Sequence, residues 1–397
     1  MENPSSWWRE TAPPVSLSEG PVPAETDVLV IGAGLSGLSV ARRLSEAGRD
    51  VTVVDRTGVG GGASARNGGI VAPGLVDGMA AGVARSGEAA ARTLLRMSWD
   101  SFRIIREVEA GVPFPLELEL PGRLTLARDE EELAALHENA RLLRAAGERV
   151  REAGPDEVPD PLRGAYIGGI ILEGGFVHSG RLTMAFAVRA LAAGVRIYAP
   201  VAVDAVAREA GALTARAGPS VIRAQDVVVA VNGFSSRLLP QMPVEPARGQ
   251  MVVTEPVESV LQYAMSARGG FDYFHQRRDG RLVAGGFRDL ALAAEKTDEM
   301  VLNDDIQAAL TRLVTTLAGR RPEIRWRWSC IMGFTPDHLP IVGRLEEGLF
   351  VTAGFSGHGV VMTPVAGKML ADAMLGESVP ELRLFSPERP ALSAGRR

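Results

Sequence analysis

The clearest hydrophobic pattern lies near the start of the chain. Residues 28–31 form an uninterrupted apolar run, which is typical of a parallel strand buried on both faces. Apolar residues then recur at helical spacing over residues 35–44, and Gly48 follows as a helix stop. A second apolar run covers residues 51–54 and ends at Asp55. Strand, helix and strand in this order predict a βαβ unit with a right-handed crossover.

Later segments follow two different patterns. Helical spacing predicts helices over residues 129–151, 181–193 and 364–375, and apolar runs predict buried strands over residues 195–198, 227–231 and 349–352. Between about residues 240 and 290, short strands alternate with turns, as at residues 251–254 and 281–284, which predicts an antiparallel sheet. Five prolines in residues 1–25 predict an extended arm. Trp7 and Trp8 either anchor this arm in a groove or line a substrate channel.

Length and charge limit the classes of function. A chain of 397 residues suggests two or three domains. The formal net charge of -5 argues against nucleic acid or an anionic membrane as a main partner. No apolar run reaches the roughly 18 residues of a membrane span, and the N-terminus lacks the features of a signal peptide, so we expect a cytoplasmic protein. The single cysteine, Cys330, excludes an intramolecular disulfide. No metal site is predicted, and the sequence does not indicate an oligomeric state.

The turn between the first strand and helix has a glycine pattern with a specific chemical use. Gly32 permits the tight turn, Gly34 lets the backbone approach a pyrophosphate, and Gly37 allows close packing of helix on strand. Leu35 and Ser36 begin the helix, whose positive end points at the phosphates. Asp55 ends the second strand, where its carboxylate can bind ribose hydroxyls. Strand, turn, helix and terminal acid together predict a dinucleotide site.

Three other segments favour FAD over NAD. A glycine-rich loop over residues 60–69 is long enough to follow a cofactor outward from Asp55. Asn232 comes directly after a predicted buried strand, and its polar side chain lies where that strand returns to the cofactor crevice. Residues 353–360 form a flexible loop at a predicted helix N-terminus, far from the first glycine turn in sequence. In a flavoprotein such a helix end can stabilise the negative charge that collects on the reduced ring.

Several motifs resemble those of FAD-dependent amine oxidases of the D-amino acid oxidase superfamily, which includes sarcosine oxidase, glycine oxidase and γ-glutamylputrescine oxidase. They are the glycine turn with Asp55 and residues 64–69, 248–250, 335–343 and 354–359. The resemblance covers residues 25–385, and the double tryptophan near the N-terminus is similar to the γ-glutamylputrescine oxidase branch.

The resemblance implies an α/β fold with two domains. One is a Rossmann-type FAD-binding domain, and the other is a discontinuous α+β substrate domain built on an antiparallel sheet that covers one face of the flavin. We assign residues 26–84, 160–236 and 326–385 to the FAD-binding domain. Residues 85–159 and 237–325 are assigned to the substrate domain, and residues 386–397 to a C-terminal tail.

The motifs and the resemblance together give the expected FAD contacts. These are Gly32, Gly34, Leu35, Ser36, Gly37, Asp55, Arg56, Ser64, Arg66, Asn67, Gly68, Gly69, Val203, Asn232, Cys330, Gly354, Gly357, His358, Gly359 and Val360. Among them, the resemblance implies that Val203 holds adenine through its backbone and that residues 357–360 lie beneath the ring.

The implied reaction transfers a hydride from the carbon next to an amine nitrogen to flavin N5. The resulting imine hydrolyses, and oxygen reoxidises the flavin with release of hydrogen peroxide. The basic residues expected nearest the ring are Arg66, in contact with flavin or a substrate carboxylate, and Arg248. Because hydride transfer requires a neutral amine, a dry aromatic pocket is expected. Its candidate walls are Phe271, Tyr273, Phe274 and Trp328, whereas His275 is expected to be structural.

Two positions bear on how the flavin is held and reoxidised. Cys330 stands seven residues before Asp337, where monomeric sarcosine oxidase has the cysteine that carries its flavin, so it either forms a thioether to FAD or simply fills space. The oxygen-activating lysine of sarcosine oxidases would fall near Val283, and no lysine is there. Either Arg281 or an ordered water replaces it, or oxygen is not the main acceptor.

Two alternatives to an oxidase therefore stay open. One is an amine dehydrogenase with the same hydride chemistry that passes electrons to a quinone or protein acceptor. The other is a flavin-bearing partner subunit without its own turnover.

Overall fold

The computed structural model describes residues 5–209 and 211–392. Its strands are β1 (Glu25–Ile31), β2 (Val51–Val54), β3 (Ile70–Val71), β4 (Arg123–Ala127), β5 (Val150–Ala153), β6 (Gly168–Leu172), β7 (Gly175–Phe176), β8 (Arg196–Tyr198), β9 (Ala205–Glu209), β10 (Ala212–Ala217), β11 (Ser220–Val229), β12 (Glu245–Pro256), β13 (Ala264–Ala267), β14 (Asp272–Gln276), β15 (Arg281–Gly286), β16 (Ile324–Phe334), β17 (Ile341–Glu346) and β18 (Leu349–Ala353). Its α-helices are α1 (Trp7–Thr11), α2 (Leu35–Glu46), α3 (Gly78–Ser86), α4 (Glu88–Ala110), α5 (Glu130–Ala145), α6 (Ser179–Ala192), α7 (Ser235–Leu238), α8 (Leu292–Glu295), α9 (Asp304–Ala318) and α10 (Gly359–Met374).

The first sheet contains the predicted βαβ unit. Its strands lie in the order β17-β18-β11-β1-β2-β8, with β10 and β9 continuing from β11. β1 is parallel to both β2 and β11, and β18 is parallel to β11. Alternate residues of β1 face two cores: Val28 and Val30 pack in the core that includes α2, α6 and α10, whereas Leu29 and Ile31 pack in the opposite one. Burial on both faces explains why β1 is a continuous apolar run.

The second sheet has the order β16-β12-β15-β14-β13-β4-β6-β5. All its pairs are antiparallel except β13 with β4. One face packs on α9 through Leu124, Phe274 and Leu282. Residues next to these in sequence, such as Arg123 and Tyr273, belong to the opposite face because side chains alternate along a strand. The α/β fold class, with an antiparallel second sheet, is as predicted.

Three predicted elements need correction. The helix predicted over residues 129–151 ends at Ala145, because Gly147 takes a positive φ of 96° and the chain then enters β5. The last helix, predicted over residues 364–375, begins at Gly359, so that Pro364 lies inside it. The arm is not extended throughout: α1 forms over five residues, with Ser6 accepting a hydrogen bond from the Arg9 amide as N-cap. Residues 1–4 of the arm lie outside the described residues.

The predicted domain boundaries divide the second sheet. β6 and most of β16 fall in segments assigned to the FAD-binding domain, although both strands pair within the second sheet. The division into domains therefore stays a prediction. Residues 393–397 of the predicted C-terminal tail lie outside the described ranges. Within those ranges, no helix has both the length and the apolar character that a membrane crossing requires.

Candidate active site

A cavity of about 1070 Å³ is lined by residues of both sheets. At one end lie the glycine turn after β1 and the carboxyl end of β2, represented by Gly32 and Asp55. At the other end lie Ser266, Tyr273 and Arg288 from the second sheet and the segment after β15. A ligand with a dinucleotide half and a ring half matches a cavity that joins these two regions.

The glycine turn fits the pyrophosphate of such a ligand. Gly32 has φ +116°, and a Cβ there would lie 2.5 Å from the Ala230 carbonyl oxygen on β11. A Cβ at Gly37 would come under 3.0 Å from the Gly32 oxygen, and one at Gly34 would lie 2.9 Å from Ser64 Oγ. None of these positions has room for a side chain. Gly32, Gly34 and Leu35 line the cavity, so the backbone at the N-terminus of α2 borders it.

Asp55 fixes the shape of this end of the cavity. Its Oδ2 accepts from the Ala33 amide at 2.9 Å, and its Oδ1 accepts from the amides of Thr57 and Gly58 at 2.8 and 3.0 Å. The carboxylate thereby connects the glycine turn to the loop after β2, and it also lines the cavity. Its ribose contact stays a prediction.

The loop before α10 is held by Asn232. The Asn232 Oδ1 accepts from the amides of Gly354 and Phe355 at 3.0 and 3.4 Å. His358 follows as the N-cap residue of α10. Its Nε2 lies 2.9 Å from the Gly74 carbonyl oxygen and therefore donates to it. Burial lowers the pKa of His358 to about 4, so its ring is neutral near pH 7. The N-terminus of α10 therefore faces the cavity without a charged side chain of its own at the cap.

The glycine-rich loop is supported from behind by the arm. The Trp8 Nε1 donates to the Asn67 carbonyl oxygen at 2.7 Å, and Trp8 is fully buried. The Asn67 side chain donates to the carbonyls of Ala63 and Ser64 and accepts from the Gly69 amide. Trp7 and Trp8 thus anchor the arm, as expected under the first alternative, and neither lines the main cavity.

Most of the predicted cofactor residues line this cavity. They are Gly32, Gly34, Leu35, Ser36, Asp55, Arg56, Ser64, Asn67, Gly68, Val203, Asn232, Cys330, Gly357, His358, Gly359 and Val360. Gly37, Arg66, Gly69 and Gly354 are not among the lining residues. Their effect on a cofactor would be through the backbone and the packing of the walls.

Arg66 lies behind the wall and not within the cavity. Its Nε donates to the Gly61 carbonyl and its Nη1 to the Ser329 carbonyl, both at 3.1 Å, and Trp328 Nε1 donates to the Arg66 oxygen at 2.8 Å. The side chain is buried, which lowers its pKa. Arg66 therefore holds the glycine-rich loop against β16.

Arg248 and Arg281 do not line the main cavity either. Arg248 forms a buried two-point ion pair with Glu295, in which Nε–Oε2 is 2.9 Å and Nη2–Oε1 is 2.8 Å. Arg281 lies on a separate cavity of about 620 Å³ with Trp7 and Trp326, and it pairs with Asp279 at 3.1 Å. Both arginines thus lie off the lining of the main cavity, and a role for either in the reaction stays a prediction. Val283 stands near the position of the oxygen-activating lysine of sarcosine oxidases, and its side chain packs among Trp8, Met251 and Trp328.

Two of the four expected aromatic walls are present. Phe271 and Tyr273 line the cavity, whereas Phe274 packs in the core under α9 and Trp328 is fully buried. The Tyr273 ring fits where two glycines lack side chains: a Cβ at Gly68 or at Gly285 would come under 3.0 Å from it. Burial raises the pKa of Tyr273, so the phenol keeps its proton.

His275 has the structural position that was expected. Its Nε2 lies 3.1 Å from the Gly68 carbonyl, and its ring stacks on Phe176 at a centroid distance of 4.3 Å. Burial lowers the pKa of His275 to about 3, which keeps the ring neutral.

Cys330 lies on the cavity wall opposite Gly249 in the β12–β16 pair, and it is 2% exposed. Burial raises the pKa of its thiol to about 11, and the nearby Arg66 acts in the opposite direction. The thiol is therefore protonated near neutral pH.

The sequence reasoning missed two arginines on the cavity wall. Arg123 begins β4, and its fully buried Nε has no hydrogen-bond partner among the described residues. Arg288 has its guanidinium carbon 4.8 Å from the ring centroid of Phe271 and 4.6 Å from that of Phe334. The alternation of Arg123, Leu124, Thr125 and Leu126 was a usable signal for the first, since the leucines belong to the core face.

The chain was compared with known proteins. Residues 27–373 match the DAO family model, described as FAD dependent oxidoreductase. The chain is 27% identical to gamma-glutamylputrescine oxidoreductase of Escherichia coli, over 89% of this chain and 84% of that protein. It is 27% identical to glycine oxidase of Pseudomonas aeruginosa, over 88% of this chain and 94% of that protein. The crystal structure of glycine oxidase from Geobacillus kaustophilus superposes with a TM-score of 0.79 at 22% identity, covering 92% of this chain and 99% of that one.

Proposed function

This chain belongs to the DAO family of FAD-dependent oxidoreductases, and we propose that it oxidises a small amine or amino acid. The observation that supports this most directly is the single cavity that joins the glycine turn at Gly32 to the aromatic wall at Tyr273. The two relatives named above are a glycine oxidase and a gamma-glutamylputrescine oxidoreductase, and both names denote oxidation of an amine.

The residues that would hold FAD divide between its two halves. Gly32, Gly34 and Asp55 would hold the pyrophosphate and ribose, and the backbone at residues 201–204 would hold the adenine. The amides at the start of α10 would face the ring, where a helix N-terminus stabilises negative charge. When bound, FAD supplies the hydride acceptor, its N5 atom, for the carbon that bears the amine. The imine product then hydrolyses in water.

The residues of the chain would then orient the substrate and keep its amine neutral. Phe271 and Phe334 give the substrate end apolar walls, which disfavour a charged ammonium. Tyr273 has its proton and a fixed ring, so it can donate a hydrogen bond to the substrate. No side chain needs to remove a proton from carbon in this scheme, since the hydrogen leaves that carbon as hydride.

Anaerobic mixing of the holoenzyme with a panel of amines tests the proposal. We expect at least one small amine or amino acid to bleach the visible absorption of the oxidised flavin, with one imine-derived product formed for each flavin reduced. If no amine or amino acid bleaches the flavin while dithionite does, the proposal is wrong, and a flavin-bearing subunit without turnover becomes the better explanation.

The electron acceptor is a separate question, for which we propose oxygen with hydrogen peroxide as product. The dehydrogenase alternative is supported by one observation: the position near Val283 has a buried apolar side chain and no lysine. Substrate-dependent peroxide formation in air would support the oxidase. Slow peroxide formation together with fast reduction of a quinone analogue would favour the dehydrogenase.

We also propose Cys330 as a point of covalent attachment, through a thioether to the flavin 8α-methyl group. A C–S bond would replace one methyl C–H bond and the thiol S–H bond, the two electrons and two protons would pass to the flavin itself, and the enzyme's electron acceptor would then reoxidise it. Its place on the cavity wall supports this, whereas its raised thiol pKa works against it. After acid precipitation, the yellow colour should stay with the protein pellet, and it should move to the supernatant for Cys330→Ser. Complete release of the colour from the wild-type protein would refute attachment.

A further inference from the structure

The substrate end of the cavity has two guanidinium groups that form no ion pair with a carboxylate of the described residues. Arg123 has no hydrogen bond or ion pair to a side chain within residues 5–209 and 211–392, and its Nε is buried. Arg288 has no such bond either, and its guanidinium group lies over the rings of Phe271 and Phe334. Burial lowers the pKa of both groups.

The acidic side chains near this end are already paired with other arginines. Asp77 pairs with Arg85 and His338. Asp289, the neighbour of Arg288 in sequence, pairs with Arg268 at 2.6 Å. Arg268 also pairs with Asp272. Asp289 also acts on Arg288 at longer range and raises its pKa, but no carboxylate of the described residues bonds directly to Arg123 or Arg288.

The other acidic residues on the cavity wall form no ion pair with these two groups. Asp298 pairs with Arg237, and both belong to the segments that line the cofactor end. Glu299 is exposed, and it forms no ion pair with either guanidinium. His358 is neutral near pH 7, so it adds no charge.

Both arginines are partly buried, and a desolvated charge without a bonded partner is costly in a folded protein unless a ligand neutralises it. Arginine is suited to carboxylates because its planar fork can donate two parallel hydrogen bonds to the two oxygens. Stacking on Phe271 and Phe334 holds the guanidinium plane of Arg288 in place before a ligand arrives, which reduces the entropy lost on binding.

We propose that the substrate is an amino acid with two carboxylates, one bound by Arg123 and the other by Arg288. This inference rests on the proposed function, because it names the substrate class of the same cavity. It excludes simple amines and polyamines, whose positive charges would meet two further positive charges. It also predicts that amino acids with one carboxylate bind less tightly than those with two.

The matched substrate series is dimethylamine, sarcosine and N-methylaspartate, which share an N-methyl amine and have no, one and two carboxylates. At the same low substrate concentration, N-methylaspartate should reduce the flavin faster under anaerobic conditions than sarcosine or dimethylamine. Its apparent affinity should exceed that of sarcosine by about tenfold or more, since a hydrogen-bonded charge contact is worth about 1.5–3 kcal/mol.

Binding can be measured without turnover by titrating the holoenzyme with acetate, malonate, succinate and glutarate and following the visible spectrum of the flavin. The dicarboxylate of the best length should bind about tenfold or more tightly than acetate. Arg123→Met and Arg288→Met should each weaken that dicarboxylate by about tenfold to a hundredfold and remove its advantage over acetate. The double variant Arg123→Met/Arg288→Met should bind neither the dicarboxylate nor acetate.

Controls separate a lost contact from a lost fold. Arg141→Met removes an exposed arginine on α5 and should leave all affinities unchanged. Arg123→Lys and Arg288→Lys keep the charge and should recover part of the affinity. Each variant should keep its FAD content and melting temperature, and a variant that fails this check is replaced by its lysine counterpart.

The outcomes for the two proposals differ. Dicarboxylate binding that depends on both arginines, without flavin reduction by any amine, would sustain the two-arginine binding site and refute the proposed function. Rapid oxidation of an amine that lacks carboxylates, unchanged in both variants, would sustain the function and overturn the inference. Equal affinities for acetate and for every dicarboxylate would also overturn it.

Discussion

Arg248→Met should destabilise the protein without altering hydride transfer. The Arg248 side chain is 6% exposed and that of Glu295 is 1% exposed, and two short N–H···O contacts join them. Arg248 also donates to the carbonyl oxygens of Ala294 and Glu299 at 3.3 and 3.1 Å. Truncation would leave the Glu295 carboxylate buried, with only the side-chain amides of Asn303 and Gln250 as donors.

Breaking a buried ion pair from one side costs about 3–5 kcal/mol. At about 2.1 cal/mol/K of unfolding entropy per residue, the 397-residue chain has about 0.8 kcal/mol/K, so the melting temperature should fall by about 4–6 °C. Near-ultraviolet circular dichroism of the holoenzyme measures this fall. Removing both charges in Arg248→Met/Glu295→Leu should recover most of it, because no charge is then left buried alone.

The anaerobic rate of flavin reduction at saturating substrate, measured well below the melting temperature, is the second readout. It should stay within about twofold of wild type, since Arg248 does not line the cavity. An unchanged melting temperature together with a large loss of rate or substrate affinity would refute this reasoning and return Arg248 to the substrate site.

Three other predictions concern pH, the glycine turn and the arm. Burial lowers the pKa values of His178 and His275 to about 3, so the unfolded chain binds more protons than the folded one below about pH 6.5. The free energy of unfolding should therefore fall by about 1.4 kcal/mol per pH unit for each histidine as the pH drops below about 6.5. Denaturant midpoints at pH 7 and 5 measure this fall, and His275→Gln should make it smaller. Gly37→Ala should yield protein without bound flavin, because the new Cβ meets the Gly32 carbonyl, whereas Gly154→Ala, with open space around it, should purify with normal flavin absorbance. Trp8→Phe removes the hydrogen bond to Asn67 and should weaken FAD binding by about twofold to tenfold in equilibrium titrations, a change that Trp99→Phe should not reproduce.

The local parts of the fold could be predicted from the sequence. β1, α2 and β2 follow from apolar spacing and glycine positions within about thirty residues, and so does the dinucleotide turn. α5 was predicted too long because helical spacing continues past Gly147, although that glycine was itself a usable stop signal. That the following residues form a strand depends on the pairing of β5 with β6. That pairing is a tertiary contact, which no sequence window contains.

The substrate end could be predicted only in part. Arg248 was placed near the flavin because its partner, Glu295, lies 47 residues away and gives no sign in the local pattern. Arg281 and Arg123 both lie on strands of the second sheet, yet they line different cavities. The alternation of side chains assigns a strand residue to a face, but strand order and sheet curvature determine which cavity that face borders.

The scattered origin of the cavity wall has a consequence for biosynthesis. Its lining comes from residues near Gly32, Arg123, Val203 and Tyr273 and from the start of α10. During translation, the glycine turn leaves the ribosome more than 300 residues before α10 is complete. FAD should therefore bind only after α10 has been synthesised, and any chaperone that binds the nascent chain binds it without the cofactor. Riboflavin supply should then affect the conversion of completed chains to holoenzyme and not the rate of their elongation.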